Sequence, residues 1–130
     1  MKAKKTMIII ATIVALFICP SDSKANGTTL FCNSTANVAK NIMKVRQSGK
    51  PITSVMAFNE KSQRKQISED PEGADRIKRV HKIIEMIIID AYKQPQYNSR
   101  RIRKRVITEF STKWYIWARE NTSFITSKSR

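Results

Sequence analysis

Between Asp70 and Pro95 the chain reads DPEGADRIKRVHKIIEMIIIDAYKQP, and no other segment constrains the architecture as tightly. Asp70 is placed to cap a helix, Pro71 suits its first position, and Glu72 and Asp75 fall near the positive end of the helix dipole. Ala74, Ile77, Val80, His81, Ile84, Ile87, Ile88 and Ala91 then recur at three- and four-residue steps, one continuous face over about five turns. Ile87-Ile88-Ile89 is strand-like in isolation, but the helical period on either side overrides it. Pro95 ends the segment.

The same period extends outward in both directions. Asn33, Ser34 and Thr35 are good cap residues, and a helix is expected from about Thr35 to Ser48, burying Val38, Ala39, Ile42, Met43 and Val45. Gly49 and Pro51 close it. A shorter helix starting near Thr53 has Val55, Met56 and Phe58 to bury, and is expected to fray over the polar stretch Ser62 to Ser68. After Pro95, Asn98 or Ser99 caps a fourth helix reaching about Arg119, with Ile102, Val106, Phe110, Trp114 and Trp117 inward and Ile107 at the edge. The sequence shows no repeat, no period-two alternation and no hairpin turn. The fold class is all-α, a small antiparallel bundle of about four helices.

The first 25 residues read as an export signal. Lys2, Lys4 and Lys5 precede a charge-free apolar run from Met7 to Cys19, and Ser23-Lys24-Ala25 offers small residues for a signal peptidase. As a helix, that run reaches about 20 Å, short of a hydrocarbon core of ~30 Å, so a short membrane anchor is the lesser alternative. Ile18 before Cys19 is too large for a lipoprotein site. The expected organisation is a cleaved signal peptide over 1–25, a loose segment over 26–34, a helical domain over 35–120 and a polar tail over 121–130. Export to the periplasm or beyond follows. The mature chain then holds Cys32 alone, as a buried residue, a free thiol or half of an intermolecular bridge.

Charge sets the function classes. The chain has 25 Lys and Arg against 10 Asp and Glu, a net charge of +15, and the mature form keeps +12. Arg100, Arg101, Arg103, Lys104 and Arg105 crowd five cations into six positions at the start of the fourth helix, where the dipole disfavours each by roughly 0.3–1 kcal/mol. Glu109 lies within one turn, and Asp90 or Glu85 are the candidates on neighbouring helices. Arg76, Lys78, Arg79 and Lys82 form a second basic stretch on the third helix. Such an excess gathers anions. For an exported chain the partners are anionic lipid, a cell-surface polymer or an acidic protein, and for a retained one nucleic acid along the fourth helix. A structural dimer joined through Cys32 is a third reading. Trp114 and Trp117 are read as core packing, with anchoring at lipid headgroups, together with Tyr115, as the alternative.

Catalytic signals are weak. His81 falls on the apolar stripe with Glu85 one turn away, and no metal-ligand set, phosphate loop or nucleophile turn occurs in the sequence. No cofactor is implied, and a non-enzymatic binding protein is expected.

The stretch from Ala39 to Gly49 with Arg46-Gln47, then Val55-Met56, Ala91-Tyr92, Pro95, Tyr97, Glu109-Phe110 and Tyr115, resembles a group of small exported helical proteins encoded by phages and prophages. The landmarks run in the group's order from about Cys32 to Trp117. The resemblance implies export and a helical fold, and no established activity. Group members tend to have a late Cys able to bridge to the early one; Trp117 stands near that position here. From the residues themselves, Arg46 and Gln47 read as a helix C-terminal cap bonded to a neighbouring helix, with an exposed Arg46 holding an acidic partner as the alternative. Tyr92, Pro95 and Tyr97 read as a packed turn between helices.

Overall fold

The computed structural model describes residues 24–126. The chain is all-α: α1 spans Lys24–Gln47, α2 Ile52–Glu69, α3 Ala74–Lys93 and α4 Arg100–Glu120. A 3-10 turn, Pro71–Gly73, precedes α3, and a single helical turn, α5, covers Ser123–Thr126. The four long helices run up, down, up and down. Three cross-helix bonds fix that order: Arg46 Nε donates to the Gln94 carbonyl (3.1 Å), Asn59 to the His81 carbonyl (3.2 Å), and Ser111 to the Ala36 carbonyl (2.9 Å). α1 makes its most extensive contact with α4 and also packs on α3, which carries α2.

α3 follows its sequence closely. Asp70 caps the 3-10 turn, its Oδ1 accepting from the Gly73 N–H at 3.1 Å, and the helix ends at Lys93, two residues before Pro95. Its buried residues are Ile77, Val80, His81, Ile83, Ile84, Ile87, Ile88 and Ala91. Against the expected stripe, Ile83 is gained and Ala74 is only half-buried. α4 starts where Ser99 caps it, Oγ accepting from the Ile102 N–H at 3.4 Å.

Three boundaries differ from expectation. α1 begins at Lys24 rather than near Thr35, so the segment from 26 to 34 is helical and Asn33, Ser34 and Thr35 sit inside a helix instead of capping one. Phe31 and Cys32 are buried one turn before Thr35, whose hydroxyl donates to the Phe31 carbonyl at 2.7 Å. α2 runs unbroken to Glu69, because Gln66 is held against His81 (3.0 Å) where fraying was expected. On α4 the deeply buried residues are Phe110, Trp114 and Ala118, while Ile102, Val106 and Trp117 are half-buried. The expected leader over 1–25 lies outside the described residues apart from Lys24 and Ala25, and of the tail, 127–130 lie outside them. Phe124 of the tail packs on Trp117, with ring centroids 5.6 Å apart.

Candidate functional site

The Arg46-Gln47 and Tyr92-Pro95-Tyr97 landmarks meet in space. Gln47 is buried and uses both ends of its carboxamide: Nε2 donates to the Pro95 carbonyl at 2.9 Å, and Oε1 accepts from the Tyr97 N–H at 2.8 Å. Arg46 lies 5.1 Å over the Tyr92 ring while its Nε bonds Gln94. The Tyr92 hydroxyl donates to the Lys50 carbonyl at 2.6 Å, and burial pushes its pKa up against the pull of Arg46, which keeps the donor protonated. These residues form a clamp that fixes the α1–α2 turn against the α3–α4 loop. Gly49, at φ +89°, lets the chain reverse there.

That clamp brings together two stretches with no carboxylate. Residues 40–59 and 91–108 carry ten Lys and Arg and no Asp or Glu. Residues 60–90 hold seven of each sign, and 109–126 two of each. The excess charge of the bundle therefore lies at the Gly49 end. Arg100, Arg101, Lys104 and Arg105 are exposed there and Arg103 is half-buried. Of these five, only Arg105 has an ion pair among the described residues, a loose 3.7 Å contact to exposed Glu109. Asp90, in the last turn of α3, is the carboxylate nearest this end and is already engaged, accepting from Lys113 (2.7 Å) and from the Trp114 indole N–H (3.0 Å), and Glu85 faces Lys82 at 3.5 Å.

The second basic stretch does not join this surface. Arg76, Lys78, Arg79 and Lys82 lie on the first half of α3, toward the opposite end of the bundle, about 16–25 Å from Lys93 at 1.5 Å per residue. Arg76 pairs with Asp70 at 3.2 Å and Lys82 with Glu85, so that region is locally compensated. Lys44, Lys50 and Lys93 take their place at the basic end. Counting carboxylates rather than cations along the sequence reveals them.

His81 is buried, and its partners are polar rather than acidic. Nδ1 lies 2.7 Å from Asn59 Oδ1 and Nε2 lies 3.0 Å from Gln66 Oε1, while Glu85 turns outward. Because Asn59 also donates to the His81 carbonyl, its orientation is set and Nδ1 carries the ring proton. A neutral ring then needs the Gln66 carboxamide turned to present its NH2, with its oxygen taking a hydrogen from Ser62. Burial pushes the His81 pKa down to about 4.

Cys32 is buried, and burial raises its thiol pKa against the influence of Arg119, so neither a thiolate nor a bridge between chains is favoured while α1 stays packed. Trp114 is buried, and the Trp114 and Trp117 rings meet at a tilt of 53° with centroids 5.1 Å apart, far along α4 from Arg100 and Arg101. Tyr115 is half-buried beside them. Among the described residues no cluster of three or more His, Cys, Asp or Glu could hold a metal, and no helix is long and apolar enough to cross a membrane. No protein-family model, no curated protein and no solved structure matches the chain.

Proposed function

We propose that this chain is an exported, non-enzymatic helical protein that holds an anionic envelope surface through the basic end of its bundle. The observation that carries the reading is the basic end of the bundle, where Arg100, Arg101, Arg103 and Lys104 have no ion-pair partner among the described residues. Cations at a helix N-terminus work against the dipole, and here no compensating carboxylate offsets them. A local rule broken without structural gain points to a functional demand. Each Lys or Arg close to an anionic membrane contributes about 1 kcal/mol, so a handful suffices for reversible attachment. The charge-free run and small residues before Asn26 support export. The resemblance to exported phage and prophage proteins supports a bacterial envelope as the surface and a role in modifying it.

Sedimentation with vesicles tests this. The protein should pellet with vesicles containing phosphatidylglycerol at ~20 mM salt, where screening is weak, and release at ~500 mM. It should ignore vesicles of phosphatidylcholine alone. Failure to bind anionic vesicles at the lower salt would remove the reading.

A further inference from the structure

Resting on that reading, we infer that the protein docks end-on onto anionic lipid headgroups, with the turns at 50–52 and 95–97 facing the bilayer and the helices standing away from it. A bundle charged along one side would lie flat. This one has its excess confined to residues 40–59 and 91–108, and the antiparallel order gathers those stretches at a single end. The remaining length is balanced in sign, so a negative surface pulls on the end and hardly on the flank.

The tip has a second property. Pro51, Ile52 and Pro95 are exposed among the cations, Ile52 at 37%. Three such side chains are too few to insert the protein, but they suit the headgroup layer, where apolar atoms leave water. A phosphodiester polymer offers them nothing comparable, which favours lipid over nucleic acid. The clamp makes the tip one surface: Gln47 ties the 95–97 loop to the end of α1, and Tyr92 ties α3 to the turn before α2. Trp117 stands about 25 Å from Arg100 along α4, the farther of the two tryptophans, whereas Trp114 bonds Asp90, one turn from the α3 terminus.

The tryptophans provide the test. Native protein and an Ile52→Trp variant are bound to phosphatidylglycerol vesicles carrying a nitroxide on some headgroups, with binding measured independently by sedimentation. The expected result is strong quenching of the added tryptophan, clearly weaker quenching of the native pair, and the least of Trp117 as read in a Trp114→Phe background. Pro95→Trp serves as the reporter if Ile52→Trp does not fold. Bound protein whose native tryptophans are quenched as strongly as the reporter lies on its side, which overturns the end-on geometry and leaves the binding itself standing. No sedimentation with vesicles, together with steeply salt-dependent retention on duplex DNA, overturns both.

Discussion

Gln47 and His81 show how single side chains hold this bundle. The Gln47 carboxamide closes the α1 terminus onto a loop some fifty residues away, and it does so while buried. Gln47→Leu leaves the Pro95 carbonyl and the Tyr97 N–H without that partner, an expected loss of about 2–4 kcal/mol in urea unfolding. Tyr92→Phe removes one bond, to Lys50, and should lose about 1 kcal/mol. His81 makes stability depend on pH. Its unfolded pKa near 6.5 falls to about 4 on folding, so between those values the unfolded chain binds more protons. Stability is full above about pH 6.5 and declines as pH falls toward 4, by on the order of 2–3 kcal/mol. His81→Gln should flatten this part of the profile relative to the native chain, as read from urea midpoints between pH 7.5 and 4.5. That His81 is a buried histidine follows from its place on the α3 stripe. That Asn59 and Gln66 serve it does not, because nothing local to α2 announces which polar residue meets a neighbour.

At the scale of the elements, the long apolar faces were legible and the boundaries were less so. α3 could be read almost residue by residue, since its stripe repeats over five turns between clear stops. On α4, by contrast, only Phe110 and Trp114 of the expected stripe are deeply buried, and Ala118 joins them. α1 is longer than its obvious stripe because α4, at 21 residues, needs a partner of comparable length, and α1 supplies 24. Phe31, Cys32 and Thr35 continue the spacing of Val38 and Ala39, yet Thr is polar and Asn33-Ser34-Thr35 resembles a cap, so the local signal pointed the other way. Phe31→Ala tests the extension. A loose segment would tolerate it, whereas a buried Phe should cost about 3–5 kcal/mol in chemical denaturation. Gly49→Ala probes the turn that follows: its φ of +89° and the Gln96 side chain 3.1 Å from an added Cβ predict a loss of about 1–2 kcal/mol.

For the molecule as a whole, the consequence of the fold is a sorting of charge. The sequence displays two basic clusters of similar density, and linear reading joins them into one surface. Antiparallel packing separates them, placing Arg76 and Lys82 beside their own carboxylates and Arg100, Arg101 and Lys104 at the other end without an ion-pair partner among the described residues. Two charge-matched triple variants weigh one end against the other. At ~100 mM salt, where screening acts within about 10 Å, Arg100/Arg101/Lys104→Gln should weaken binding to phosphatidylglycerol vesicles by about 100-fold, at about 1 kcal/mol per charge. Arg76/Arg79/Lys82→Gln, with the same net charge, should stay within about threefold of the native protein. Equal losses from the two triples would mean that total charge, and not the unpaired cations of the basic end, governs binding, and would contradict the account.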